Sequence, residues 1–279
     1  MDDEDKTEFG GLLNILPPVE FCCVYGSILH PNKKDQNSMV DYILGVADPL
    51  QWHTENLKVN RDHYASWLVR SGGSRLINCI ANNIGVGVHF NPFVSWNKKM
   101  FKYGVVRVHD LIEDIKGWER FYTSGRLQKP VNIIVDNLNI ENVNAVNLRA
   151  AASAALLLLP AEFSEEDLYA KICSLSYMGD LRMYFAEDKN KDSGLSAAAV
   201  LVSHLPPLIK SKIETNLAGK MRQGAGIGSK VEAVKWMSRI IRRKVMVSSG
   251  RQAVAGLLTA GAVNGFRYLG NKILKSVKS

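Results

Sequence analysis

The sequence predicts a mixed α/β domain, then a helical stretch, then a basic C-terminal helix. Three observations carry this reading. Short apolar runs of strand length alternate with helix-spaced segments up to about residue 140. An Ala/Leu-rich helical composition takes over from there. After Glu232 the chain carries ten Lys or Arg and no Asp or Glu.

Taken in order, "VEFCCVYGS" is an apolar run that ends in Gly-Ser, and "SMVDYILGV" is a second run stopped by "ADP". Residues 50–83 read as helical, with Trp52, Leu57, Tyr64, Trp67 and Leu68 as apolar positions. Residues 86–96 and 100–108, separated by "NKK", read as a hairpin. A helix over 110–122, a Gly-Arg-Leu turn and the short strand "KPVNIIV" complete the first domain. Residues 143–159 then form an Ala/Leu-rich helix, and "SEEDL" starts the next one. There Ser164 is the expected N-cap and Asp167 the third helical residue. Helices are expected again over 197–245, interrupted at "HLPPL" and "GAGIGS". The division is therefore 1–141, 142–250 and 251–279.

Composition narrows the function classes. A chain of 279 residues with 46% hydrophobic content supports a sizeable core. Cys22, Cys23, Cys79 and Cys173 form no zinc or redox spacing, which points to buried thiols in a reducing compartment. The best candidate for a membrane span, Leu148 to Leu159, is too short for one and ends at a proline. The acidic N-terminus is neither a secretory signal nor a transit peptide. The formal charge of +8 belongs to the tail, because the rest of the chain holds 25 bases and 27 acids. A tail of this kind seeks phosphates, of nucleic acid or of a membrane surface. The body lacks a basic and aromatic stripe, so nucleic acid is not the expected partner.

One constellation carries chemistry. A strand ending in Gly26-Ser27, followed by a strand bearing Asp41, is the frame of the nucleotidyltransferase superfamily. Small residues let backbone N–H groups approach a triphosphate, and a carboxylate on the neighbouring strand holds Mg²⁺. Two acids usually alternate, so both project from one strand face. Here Ile43 occupies the second position. The same pattern is also an ordinary tight turn beside a strand aspartate. Lys102, near the start of an apolar strand, can reach phosphates or can simply protect a sheet edge. Arg126 and Lys129 in "GRLQKPV" are candidates for a substrate phosphate, or a solvated loop. His53 and His63 lack the neighbours of a metal site and are expected to be packed or at the surface.

Longer stretches are more specific. "VYGS", "MVDYILGVADPLQWHTENLKVNRDHYASW", "KYGVV", "LIEDIKGWERFYTSGRLQKPV", "NLRAAASAALLLLPAEFSEEDLYAKICSLSYMGDLRM" and "SSGRQAVAGLLTAG" run through nearly the whole chain. Through them the sequence resembles the mitochondrial translocator assembly and maintenance protein family, the mitochondrial phosphatidate cytidylyltransferases. The resemblance implies a nucleotidyltransferase domain, a winged-helix-like helical domain and a membrane-associating C-terminal segment. It implies Mg²⁺-dependent conversion of CTP and phosphatidate to CDP-diacylglycerol and pyrophosphate, feeding cardiolipin synthesis. The implied place is the matrix face of the mitochondrial inner membrane, as a peripheral protein. Tyr25, Gly26, Ser27 and Lys102 are the implied CTP contacts, and Asp41 and Lys102 the catalytic pair, with Asp41 as metal ligand. Glu113, Asp114 and Asp136 are candidates to complete the metal site. Ile43 is a trait of the family.

Two features qualify that reading. After "GDLRMYFAEDKNK" the family continues with a further stretch, whereas here Lys191 is followed at once by "DSGLSAAAV". The helical domain is thus expected to be shortened near 191–192. A weak or inactive membrane-bound assembly factor on a nucleotidyltransferase shell is one alternative. A nucleotidyltransferase acting on RNA or protein is the other. In the tail, Phe266, Leu269 and Ile273 recur on one helical face and Arg267 and Lys275 on the other, the pattern of an interfacial helix. A helix packed on the body with a solvated basic face has the same pattern.

Overall fold

The computed structural model describes residues 9–29, 39–97, 99–179, 198–222 and 230–260. Among the described residues it is a mixed α/β protein with one five-stranded sheet. The strands are β1 (Phe21–Tyr25), β2 (Val40–Val46), β3 (Val88–Trp96), β4 (Lys99–Arg107) and β5 (Val131–Asp136), in the order β3-β4-β2-β1-β5. Only β2 and β4 run parallel; the other neighbours are antiparallel. The expected hairpin over 86–108 is β3–β4.

The chain divides into two compact units. The first comprises residues 1–111, 130–141 and 250–279, and the second 112–129 and 142–249. The linear division expected from sequence has boundaries at 141/142 and 250/251; the chain passes between the two units at 111/112, 129/130, 141/142 and 249/250.

In the first unit, alternation along the strands sorts the two sheet faces. Cys22, Val24, Val40, Tyr42, Leu44, Val46, Phe101, Tyr103 and Val105 pack into one core with Leu12 and Trp52. The opposite face carries Tyr25, Asp41 and Lys102, aligned by the register Tyr25↔Asp41↔Lys102. The run expected to be helical over 50–83 is broken into pieces. Helix α1 (Pro49–Val59) starts at Asp48, whose carboxylate accepts from the Leu50 and Gln51 amides. Then come α2 (Ser66–Ser71) and α3 (Gly73–Cys79), continued by a π-turn over Ile80–Ile84. Gly73 sits at φ +54°, which separates α2 from α3 and explains the break.

The second unit is helical. Helix α4 (Val108–Gly117) enters it and α5 (Thr123–Leu127) follows, so the single helix expected over 110–122 ends early. The physical reason is Asp114, whose buried carboxylate gathers the 120–124 backbone into a loop. Then come α6 (Ile140–Leu158), α7 (Glu165–Leu175), α8 (Ala198–Ser203), α9 (Pro207–Arg222) and α10 (Lys230–Ala260). The capping box expected at Ser164 and Asp167 is present. Trp118, Phe121, Ala151, Ala154, Ile209, Met237 and Ile241 form the core of this unit. Asn147 ties the 118–128 loop to α6: it accepts from Trp118 Nε1 and Gln128 Nε2, both at 2.8 Å, and donates to the Ser124 carbonyl.

The last turns of α10 belong to the first unit and are packed there. Arg251 donates to the Ile84 and Asn83 carbonyls at 3.0 Å each, satisfying the end of the π-turn. Gln252 Nε2 donates to the Val88 carbonyl, and Ala255 joins Tyr64, Leu68, Ile77 and Ile80 in a small core. The segment expected to start at 251 as a membrane-associating tail thus begins as a packed helix, at least to Thr259. Phe266, Arg267, Leu269, Ile273 and Lys275 lie outside the described residues, as does the expected shortening near 191–192.

Candidate active site

The first unit brings four of the expected site residues to one end of its sheet. β1 ends at Tyr25, and Gly26 turns the chain at φ +93° into a short 3₁₀ turn starting at Ser27. That φ lies in the region that favours glycine. A Cβ at position 26 would stand 3.5 Å from Asp41 Oδ2, so the glycine backbone borders the carboxylate directly. Both Gly26 and Ser27 are exposed.

Asp41 and Lys102 are register partners on adjacent parallel strands. Lys102 Nζ lies 3.3 Å from Asp41 Oδ1, and neither side chain is fully buried. Asp41 Oδ1 is shielded from solvent and takes no hydrogen bond in good geometry; its partner is the ion pair with Lys102. The lysine also lies over the Phe90 ring, 4.6 Å from its centroid. Gly104 makes this possible. A Cβ there would collide with the Phe90 ring, so only glycine lets the ring lie flat under the lysine. Ile43 shares the face of Asp41 and is 1% exposed. It is a packing residue, and a second acid at 43 would be buried.

Two of the three acids considered for completing a metal site are committed elsewhere. Asp114 accepts from the backbone amides of Arg120, Phe121, Tyr122, Thr123 and Ser124 and from the Thr123 and Ser124 hydroxyls. Its lone pairs are used in holding a loop of the second unit. Asp136 accepts from the Ile140 and Glu141 amides at 2.7 and 2.9 Å, capping α6. It also pairs with Phe21, at the end of β1 away from Tyr25, about 13 Å off at the usual strand rise. Glu113 is an exposed residue of the second unit. Among the described residues, no group of three or more His, Cys, Asp or Glu is arranged to hold a metal.

Arg126 and Lys129 also belong to the second unit. The Arg126 guanidinium lies 3.7 Å over the Tyr122 ring and donates to the Tyr122 carbonyl. Lys129 Nζ lies 3.6 Å over the Tyr177 ring, and burial pulls its pKa below the usual lysine value.

Sequence reasoning missed a buried polar network behind β4. Asn56 donates to both Tyr64 and Tyr103 hydroxyls, at 2.8 and 2.9 Å. His53 Nδ1 meets the Tyr64 hydroxyl at 2.9 Å, and His63 Nδ1 meets that of Tyr103 at 2.8 Å. His89 pairs with Asn91 through Nε2. Burial holds His53 well below its ordinary pKa and His89 at about 4, so both are neutral. The network fixes Tyr103, the neighbour of Lys102 on β4, from the opposite face of the sheet. His53 is packed and His63 half-buried, and among the described residues neither belongs to a group of three or more possible metal ligands. The signal available in sequence was the polar spacing His53, Asn56, Asn60 along α1.

Comparison with known proteins decides the family. The family model described as mitochondrial phosphatidate cytidylyltransferase matches residues 10–195 and 192–275. The chain belongs to this family. The two matched stretches meet at the place where the sequence suggests a shortened segment. A human mitochondrial phosphatidate cytidylyltransferase is 40% identical over 209 residues, covering 72% of this chain and 45% of the relative. Its mouse counterpart is 41% identical over 208 residues, covering 72% and 60%. The Saccharomyces cerevisiae protein of the same name is 31% identical over 290 residues, covering all of this chain and 72% of the relative. The chain thus spans about half the length of the human protein it matches.

Proposed function

We propose that the protein is a phosphatidate cytidylyltransferase, converting CTP and phosphatidate to CDP-diacylglycerol and pyrophosphate. The observation that carries this is the convergence of Gly26, Asp41 and Lys102 at one sheet end, in a chain of this family. The fold assignment that goes with it is a nucleotidyltransferase domain for the first unit and a winged-helix-like domain for the second. The names of the relatives support a mitochondrial protein, and the inner membrane's matrix face is where its lipid substrate would be met. No helix among the described residues is long and apolar enough to cross a membrane, which suits peripheral attachment.

The residues fit a bound Mg²⁺. This cation is held by one or two carboxylates together with substrate phosphates and water, and Asp41 offers a carboxylate oxygen without a good hydrogen bond. Asp41 would hold the ion, which neutralises triphosphate charge when bound. The Gly26 backbone and the Ser27 hydroxyl would contact phosphate oxygens. Lys102, steadied by Phe90 and Asp41, would swing toward the β- and γ-phosphates.

In this reading a phosphatidate oxygen forms a bond to the α-phosphorus of CTP. The bond to the bridging oxygen breaks, and pyrophosphate leaves. The nucleophile is already anionic, so positioning and charge stabilisation carry the catalysis, without a strong base. A second reading, a catalytically silent shell serving as an assembly factor, is favoured by Ile43 standing where a second acid usually alternates with Asp41. The test is turnover of CTP on phosphatidate vesicles by the full chain with Mg²⁺. CDP-diacylglycerol formation that Asp41→Ala abolishes supports the enzyme; no turnover by the intact chain supports the shell.

A further inference from the structure

The first unit has a concave surface lined by none of Tyr25, Gly26, Ser27, Asp41 or Lys102. It is an open pocket of about 470 Å³ lined by Thr54, Leu57, Lys58, Arg61, Val69 and the segment Gly72–Arg75. That volume is in the range of small-ligand sites. Its charge is one-sided. Lys58 ends α1, Arg61 lies in the following 3₁₀ turn and Arg75 is in α3, yet all three line one cavity.

No carboxylate lines the pocket. Among the described residues, none forms an ion pair with Lys58, Arg61 or Arg75. The acids nearest in sequence, Glu55 and Asp62, are outside the lining, and Glu55 is engaged by Gln51. Ordinary protein surfaces intersperse both signs of charge. Three cations converging on one concavity repel one another, a cost that an anion in the pocket reverses.

The wall also suits an oxyanion. Thr54 and Ser74 place two hydroxyls 2.7 Å apart on it, and Gly72-Gly73 leaves backbone without side chain beside them. Val59 and Trp67, in the helices α1 and α2 that contribute to the pocket, are 69% and 39% exposed, and a membrane interface accepts exposed apolar side chains together with cations.

We propose that Lys58, Arg61 and Arg75 form a second, non-catalytic site for a phosphate group, carried by an anionic lipid or free in solution. The proposal does not depend on the cytidylyltransferase reading, since none of these residues belongs to the Asp41 site.

The test uses the full chain labelled with ¹⁵N-glycine. Inorganic phosphate is titrated while the Gly72 and Gly73 amide resonances are followed. In parallel, sedimentation with phosphatidylcholine vesicles containing phosphatidylglycerol is measured at low salt. The double variant Arg61→Ala/Arg75→Ala is compared with Arg70→Ala/Arg107→Ala, which removes two exposed charges outside the lining. Saturable glycine shifts are expected in the wild type and not in the pocket variant. At a membrane, two such charges correspond to a loss of vesicle affinity of about thirtyfold. Loss of the phosphate response alone assigns a soluble phosphate. Loss of vesicle binding alone assigns a lipid headgroup, and loss of both assigns a group accepted from either source. Unchanged behaviour with both probes overturns the proposal, and so does an equal loss in the Arg70/Arg107 variant. Arg61→Lys/Arg75→Lys, which keeps the charge, retains binding if the site is as described.

Discussion

Lys102 Nζ and Asp41 Oδ1 stand 3.3 Å apart across the one parallel pairing of the sheet, β2 with β4. The strand register places them there, so the pair is set by the backbone and not by chance rotamers. The pairing gives a specific expectation. Lys102→Met should lower CDP-diacylglycerol formation by about 10²-fold or more, the scale for losing one charge-stabilising donor. The melting temperature should also fall, because Asp41 Oδ1, shielded from solvent, would lose its ion-pair partner, so activities are compared at a temperature where both proteins are folded. An activity within threefold of wild type would remove Lys102 from the site.

Asp114→Asn separates a structural acid from a metal ligand. The change replaces one acceptor oxygen by an amide donor facing backbone N–H groups of the 120–124 loop. Buried hydrogen bonds to a charged group, lost with such a mismatch, should lower unfolding free energy by about 3 kcal/mol or more. Urea denaturation measures this. A stable Asp114→Asn protein that has lost only its Mg²⁺ response would show that the carboxylate serves the metal instead.

Gly104→Ala tests the platform under Lys102. The added Cβ falls on the Phe90 ring and the ring must move. Overpacking of this kind costs about 1–3 kcal/mol. Activity should fall along with stability, and Phe90→Leu/Gly104→Ala should recover the stability by making room. Failure of the second change to restore the denaturation midpoint would argue against the ring as the obstacle.

The strands were legible in sequence because each is a short apolar run with a hard stop, such as "ADP" after Val46. The capping box at Ser164 was legible for the same local reason. The breaks inside 50–83 and 110–122 were not. Gly73 at positive φ and the seven hydrogen bonds to Asp114 are tertiary outcomes that helical spacing does not encode. At the site, Gly26 and Asp41 were legible as a motif. Lys102 was legible as a candidate, but not its partner, since a register between β2 and β4 joins residues 61 positions apart. In sequence Asp114 and Asp136 stand, with Glu113, as unranked candidates to join Asp41 at the metal. Only their hydrogen bonds show that they cap backbone instead.

The neutral histidines behind β4 predict an acid sensitivity. His89 has a folded pKa of about 4 and His53 one well below 6.5, both lowered by burial. Between those values and 6.5 the unfolded chain binds more protons than the folded one, so stability rises with pH across this window. The contribution is fully present above about pH 6.5 and is lost as pH falls toward 4. For His89 alone the difference amounts to about 3 kcal/mol at the acid end. His53 acts in the same direction, and the two rings lie 5.0 Å apart, so charging one opposes charging the other. Urea unfolding at pH 7, 6, 5 and 4.5 should show a falling midpoint. His89→Gln, which keeps a polar group opposite Asn91 but cannot charge, should lower stability at pH 7 yet flatten the decline below pH 6.5. An unchanged slope in that variant would mean that the acid sensitivity arises elsewhere, with His53 and His63, both lowered by burial, as the next groups to replace.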